Sequence, residues 1–222
     1  MAKNKNPAVP CHRVIKSNFS VGGFHSKRGD SWEKAGLLLK EGAIGVIPTD
    51  TIYGVVASAL NKKAVEKIYR LKKRNQKKPL IILISSINDL KFFGVTLNSW
   101  QKKVLKKFWP GKVSFILKCP SKKFYYLHRG SKTLAFRLPK KKELLKILAI
   151  AGPLVAPSAN WEGFPPATNI SQAKKYFGKN VFYLDDGEIK GKPSALIDIR
   201  KNKLEVLRDG VFLTKQKLKE AV

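Results

Sequence analysis

The chain has 222 residues, 43% of them apolar, and 45 Lys and Arg stand against 15 Asp and Glu for a formal charge of +30. That length suits one domain, or one with a short appendage, and the apolar share suffices for a real core. No window approaches the ~18 consecutive apolar residues of a membrane span, no apolar run follows the basic N-terminus as in a secretory signal, and Cys11 and Cys119 make neither a disulfide framework nor a zinc site.

The expectation is a reduced, cytoplasmic protein without a membrane partner. Its charge either attracts a polyanion or reflects a lysine-rich composition spread over nearly every segment. Residues 1–30 carry little helical or strand period. Asp30 followed by Glu33 is a capping-box pattern, Leu37, Leu38 and Leu39 give the next helix its apolar side, and Gly42 suits its end. A strand over 43–47 runs into Pro48-Thr49-Asp50-Thr51-Ile52-Tyr53-Gly54, a dense polar cluster that interrupts an apolar region, and Val55 to Ala57 resumes it. Hydroxyls and a phenol at a strand end are placed where open α/β sheets gather ligands.

Asn61 caps a helix over 62–72, and Lys72, Arg74 and Lys78 cluster at its end. Next come a strand over 80–84, a helix from Ser99 to Phe108, strands over 113–117 and 134–138 divided by a basic loop, and a helix near 141–150. A short strand over 153–156 ends in a second polar interruption, Pro157-Ser158-Ala159-Asn160. A helix over 170–177 and strands over 181–184, 195–199 and 204–207 complete the chain. Alternating helices and strands with several short late strands indicate an α/β fold on a mixed sheet.

Arg suits a carboxylate or phosphate through its planar fork, Lys adds a point charge, and Ser and Asn donate without charge. Taken singly, Lys72 and Arg74 also fit a solvated helix C-terminus, Ser158 and Asn160 a simple turn, and Arg137 a strand residue facing solvent. Neither a G-x-x-x-x-G-K-[ST] loop nor a G-x-G-x-x-G fingerprint occurs, and three histidines are too few and scattered for a metal site.

In order and spacing these clusters are more specific. Pro48 to Gly54, Lys72-x-Arg74, Lys78-Pro79-Leu80, Trp109-Pro110-Gly111, Ala135 to Pro139, Ala156 to Asn160, Gly191 to Ser194 with Ile197-Asp198, and Leu207 to Gly210 together resemble the YrdC family of threonylcarbamoyl-AMP synthases. The resemblance implies a single domain over 31–213 with a twisted mixed parallel and antiparallel sheet, flanking helices and a basic concave groove, followed by a basic tail over 214–222. It implies the short form of the enzyme, making threonylcarbamoyl-AMP and pyrophosphate from L-threonine, bicarbonate and ATP for tRNA N6-threonylcarbamoyladenosine modification. Lys72 and Arg74 would be catalytic, and Thr51, Tyr53 and Arg137 would hold threonine and the adenylate. Ser158, Asn160, Ser194 and Arg208 would contact ATP, and Mg²⁺ would arrive with the nucleotide, with no protein metal site. A downstream threonylcarbamoyl transferase machinery is the implied partner, and tRNA a further candidate. Departures from the family pattern are Ser194-Ala195 in a Ser-Thr context, Asp186 in a Gly-Gly pair, Asp209 for proline and Ser114 for threonine.

Residues 1–30 carry a second resemblance. Pro10-Cys11-His12-Arg13-Val14-Ile15 is similar to the active-site loop of O6-alkylguanine-DNA alkyltransferases, with Cys11 as alkyl acceptor and Glu41 in the place of the triad acid. The rest of that family's recognition elements has no counterpart, so the expectation is an inactive remnant. The competing readings are a non-catalytic RNA-binding module, with Phe124, Tyr125 and Tyr126 as stacking residues, and alkyl transfer through Cys11.

Overall fold

A computed structural model of the protein describes residues 28–210. The Cys11 segment and the tail over 214–222 lie outside the described residues.

Helix α1 (Arg28–Lys40) begins two residues before Asp30, which therefore sits in its first turn and not at its cap. Trp32, Ala35, Leu38 and Leu39 are buried, whereas Leu37 is exposed. Three consecutive helical positions fan over about 200°, so the expected run of three leucines cannot share one face. Gly42 ends the helix with φ of 93°, a conformation only glycine takes without strain.

Strands β1 (Gly45–Pro48) and β2 (Tyr53–Ser58) pair antiparallel, Pro48 opposite Tyr53, with residues 49–52 as the connecting turn. Asn61 caps α2 (Lys62–Leu71) by accepting from the Ala64 N–H at 3.1 Å, and Ala64, Val65, Ile68 and Tyr69 form its buried face. Next come β3 (Ile81–Leu83), a 3₁₀ turn over Ile87–Phe93, and α3 (Ser99–Phe108), closed by a reciprocal Asn98 and Gln101 capping box. β4 (Val113–Lys118) and β5 (Thr133–Arg137) flank α4 (Tyr125–His128), a single turn within the expected basic loop. The rest is α5 (Lys142–Ala151), β6 (Leu154–Val155), α6 (Ile170–Phe177), β7 (Phe182–Tyr183), β8 (Ala195–Asp198) and β9 (Glu205–Arg208).

Among the described residues nine strands form one sheet in the order β7-β1-β2-β6-β3-β5-β4-β8-β9. It is mixed: β1–β7, β3–β5 and β4–β8 are parallel, and the other pairs are antiparallel. Alternate side chains of one strand enter different cores. Val46, Val55, Ile82 and Val155 join the helices α2, α3 and α6, while Ile47, Val56, Leu83 and Leu154 join α1 and α5. Burial on both faces explains why these strands read as continuous apolar runs.

The other half of the sheet is different. Leu134 and Phe136 of β5, Phe115 of β4 and Ile197 of β8 still enter the first core. Their neighbours Ala135, Arg137, Ile116 and Leu196 turn to the side that α1 and α5 cover farther along, and there they line a cavity. Register confirms the side: Arg137 stands opposite Leu83, a residue of the α1 and α5 core.

Five inter-strand steps separate β2 from β8, roughly 24 Å in a flat sheet. Yet residues beside each, Thr51 and Ser194, line the same cavity. The segment leading into β8 crosses over the β1–β2 turn at Gly191, where a β-carbon would fall 1.9 Å from the Thr51 carbonyl oxygen. We predict that Gly191→Ala pushes this crossing apart. Urea denaturation should show a loss of about 1–3 kcal/mol, in the range of overpacking, and an unchanged midpoint would mean that the crossing yields freely.

Candidate functional site

The cavity has a volume of about 350 Å³, within the range of small-molecule pockets. Of the residues singled out in the sequence, Thr51, Arg74, Arg137, Ser158, Ser194 and Arg208 line it, and Lys72, Tyr53 and Asn160 do not.

Arg74 lies just beyond α2, where Lys73 turns the chain with φ of 51°. Its guanidinium donates to the Pro79 carbonyl at 3.1 Å and weakly to that of Lys78 at 3.4 Å, which leaves donors for the cavity. Arg208 reaches from β9 to the Ser194 carbonyl through Nε and Nη2 at 3.0 and 2.9 Å. Arg208 keeps solvent on one side. Even so, desolvation of the part inside the cavity, with the Arg74 charge, pushes its guanidinium down from the usual range. Ser194 is held from behind by Ser114, Oγ to Oγ at 2.9 Å, and Ser114 is wholly buried.

Arg137 does not face solvent. Its side chain is 5% exposed, and Nη1 donates to Asp50 Oδ1 at 2.8 Å and to Thr51 Oγ1 at 3.3 Å. Burial lowers its pKa, the Asp50 carboxylate opposes the shift, and Nε has no partner. Among the described residues no carboxylate lines the cavity, so guanidinium groups and hydroxyls dominate its polar wall.

The two other sequence candidates at α2 and after β6 act on each other. Lys72, 1% exposed, directs its ammonium to the Ser158 carbonyl, to the Asn160 carbonyl at 2.7 Å and to Asn160 Oδ1 at 3.0 Å. Burial pushes the ammonium down to about 7, with Arg74 adding to the shift and Glu162 opposing it. All three partners are acceptors, and only the charged form has three N–H bonds for them. The Ser158 hydroxyl donates to Asn160 Oδ1 at 2.6 Å, and the Asn160 amide donates to the Phe164 carbonyl. The Ser-x-Asn pair is thus a self-bonded loop seated on Lys72, with Ser158 alone presented to the cavity.

Tyr53 is also behind the wall. It is wholly buried, and its phenol donates to the Gly187 carbonyl at 2.7 Å while accepting from the Asp186 N–H at 3.1 Å. It therefore anchors the loop that carries Asp186, whose carboxylate pairs with Lys141 at 2.6 Å. Glu162 ties the α2–β3 loop by accepting from Lys78 at 2.8 Å and from the Asn75 N–H at 2.6 Å. Thr49, Ser131 and Thr133 also line the cavity. Strict alternation in Thr133-Leu134-Ala135-Phe136-Arg137 places Thr133 with Arg137, a signal the sequence held, whereas Ser131 left none.

Among the described residues no group of three or more His, Cys, Asp or Glu side chains stands ready to hold a metal. A magnesium cage made by the protein alone does not fit this donor set, since Mg²⁺ prefers carboxylates or phosphate oxygens. Phe124 and Tyr126 are buried in the core and only Tyr125 is exposed, so the three aromatics do not form a stacking platform.

A family model described as Sua5_yciO_yrdC, telomere recombination, matches residues 37–210. A threonylcarbamoyl-AMP synthase of Pyrococcus abyssi is 33% identical over 175 residues, which is 78% of this chain and 52% of that protein. One of Buchnera aphidicola is 32% identical over 162 residues, 71% of this chain and 92% of that protein. The crystal structure of P. abyssi Sua5 complexed with L-threonine superposes with a TM-score of 0.80 at 30% identity, over 87% of this chain and 58% of that one. The chain thus spans about half the length of its P. abyssi relative.

Lys72→Met keeps the length of the side chain but takes away the ammonium donor from the Asn160 carbonyl, while the Ser158 carbonyl keeps the Asn160 N–H and Asn160 Oδ1 keeps the Ser158 hydroxyl. The expected loss is about 1–3 kcal/mol, the cost of one orphaned buried group. Chemical denaturation measures it, and a variant as stable as the parent would show that water replaces the ammonium.

Proposed function

The chain belongs to the Sua5–YciO–YrdC family, and from that premise we propose that it is a threonylcarbamoyl-AMP synthase. L-Threonine, bicarbonate and ATP give threonylcarbamoyl-AMP, pyrophosphate and water. The product would serve tRNA N6-threonylcarbamoyladenosine formation by a downstream transferase. One observation carries the reading: Arg74, Arg208, Ser194 and the β1–β2 turn hydroxyls meet in a single cavity that no carboxylate lines among the described residues.

In the proposed reaction the threonine amine captures carbon dioxide, formed from bicarbonate with loss of water, as a carbamate. A carbamate oxygen attacks the α-phosphorus, the new P–O bond forms, and the bond to pyrophosphate breaks. Every species near the phosphorus is anionic, so the chain's task is to position and to neutralise. Arg74 and Arg208 supply fixed positive charge, and Ser194, held by Ser114, supplies a hydroxyl for a phosphate oxygen. Lys72 and Asn160 act from behind by fixing the loop that presents Ser158. Magnesium would come coordinated by ATP itself and would neutralise triphosphate charge.

A non-catalytic RNA-binding role gains nothing from the site, because the exposed basic surface lacks interleaved aromatics at Phe124 and Tyr126.

Pyrophosphate release is expected only when ATP, threonine and bicarbonate are all present, and release that ignores threonine sinks the reading. Arg74→Ala is expected to reduce the rate by about 100-fold or more, as for loss of a preorganised transition-state donor, with an unchanged denaturation midpoint. Full activity in that variant would reduce Arg74 to a helix-end cation.

A further inference from the structure

Arg74 belongs to a loop that packing does not hold. Residues 75–78, between α2 and β3, are exposed and enter neither apolar core, so hydrogen bonds set their course. Helix α2 ends in a Schellman motif: the Arg74 N–H donates to the Tyr69 carbonyl at 3.0 Å and the Lys73 N–H to that of Arg70 at 3.1 Å. The left-handed position falls on Lys73, with φ of 51°, where a β-carbon is disfavoured. The Lys77 N–H then donates to Asn75 Oδ1 at 2.9 Å and the Lys78 N–H to the Asn75 carbonyl at 3.1 Å, a tight turn that brings Lys78 back.

Two consecutive residues of the β6–α6 loop grip this turn on both sides of Arg74. Trp161 is anchored on α6 through Nε1, which donates to the Tyr176 carbonyl at 3.0 Å, and its ring carries the Lys73 ammonium at 3.7 Å. Glu162 uses its backbone and both carboxylate oxygens. Its N–H donates to the Lys72 carbonyl at 2.9 Å, Oε2 accepts from the Asn75 N–H at 2.6 Å, and Oε1 accepts from the Lys78 ammonium at 2.8 Å. The Lys78 ammonium and the Asn75 N–H hold the Glu162 carboxyl below the usual carboxylate range, so the grip is closed at neutral pH. Lys78, grouped in sequence with Lys72 and Arg74, commits its charge to Glu162 and does not line the cavity.

The Arg74 guanidinium takes its direction from the same turn. Nη2 donates to the Pro79 carbonyl and Nε faces that of Lys78, so both acceptors that aim it adjoin the segment Glu162 closes. The Lys78 carbonyl is fixed in turn by the buried Tyr69 phenol, which donates to it at 2.9 Å. Opening the turn would move these acceptors and the Arg74 backbone together, and the cavity would lose a cation held at a fixed point.

We propose that Glu162 is a positioning residue: by clasping Lys72, Asn75 and Lys78 it sets the Arg74 guanidinium against the anionic substrate in the cavity. The part of that guanidinium in turnover rests on the synthase reading, whereas the clasp itself does not. Trp161 serves the same end through Lys73. Glu162 stays outside the cavity lining, where a carboxylate would repel phosphate.

The test uses the full chain and measures pyrophosphate release in Glu162→Ala, Glu162→Gln, Arg74→Ala and the double variant Glu162→Ala with Arg74→Ala. Glu162→Ala is expected to lower kcat about tenfold, since misplacement by about 1 Å can cost about 100-fold. Glu162→Gln keeps an oxygen for the Asn75 N–H and should stay within about threefold of the parent, having lost only the charge assistance. The double variant should match Arg74→Ala within about twofold, because Glu162 acts through Arg74, whereas a merely structural loss would add to it. An unaltered kcat in Glu162→Ala, a Gln variant as slow as the Ala variant, or full additivity would each overturn the proposal.

A second readout needs no turnover. Trypsin cuts after Arg74, at the peptide bond whose N–H Glu162 holds, and a held turn must open before it is cut. Cleavage of the Arg74–Asn75 bond, located by mass, should be about tenfold faster in Glu162→Ala, the size of one lost hydrogen bond. Cleavage after Lys103, within α3, should keep its rate. A rise at both bonds is a general loss of stability and overturns the proposal. Selective opening in a protein that releases no pyrophosphate would sink the synthase reading and keep the clasp. Normal release without selective opening would do the reverse, and absence of both overturns both.

Discussion

A lysine ammonium shut away from water joins the two loops on which the cavity depends. Lys72 ends α2, and its three acceptors belong to the loop after β6. Removing a charge from water is costly, and the cost is tolerated only when every proton finds an acceptor. The consequence is geometric. With Lys72 seated, Arg74 leaves the helix two residues on and Ser158 leaves the loop two residues before Asn160, so both enter the cavity from fixed origins. Backbone bonds extend the join: Glu162 N–H donates to the Lys72 carbonyl, and Ala159 N–H donates to that of Tyr53.

The sheet supplies the second constraint. Its β1, β2, β3 and β6 part is covered on both faces, and the side chains alternate between two apolar cores. Over β5, β4 and β8 one face loses its helix cover, and the same alternation that fills a core elsewhere furnishes a cavity floor. Arg137 shows the change within one ladder: it is paired in register with Leu83, a core residue, yet its guanidinium meets Asp50 and Thr51. The buried ion pair is a weak source of net stability, since desolvation offsets much of its attraction.

Most of the fold was legible in the chain itself. Period gave α2, α3 and α6 closely, and the Asn61 cap expected for α2 is present, whereas Asn98 and Asn169 emerge as caps only in the structure. The mixed sheet followed from the short late strands. Asp30 was misleading because its capping pattern falls inside a helix that starts earlier, and Leu37 because a helix cannot bury three neighbours in sequence. The α4 turn was hidden in a basic segment whose aromatic residues bury selectively.

Residue types and their order determined by themselves which segments carry the site: the Thr-rich turn, Lys72-x-Arg74, Ser158-x-Asn160, Ser194 and Arg208. Only the tertiary structure decided which members face the cavity. Lys72, Asn160 and Tyr53 hold it from behind, and Asp50, Thr49 and Ser114 became significant only through their partners. The physical reason is that a one-dimensional pattern records a side chain's chemistry but not its hydrogen-bond partners. Whether a hydroxyl donates or accepts, or an ammonium binds substrate or backbone, depends on groups up to 134 positions away in sequence that folding brings within 3 Å.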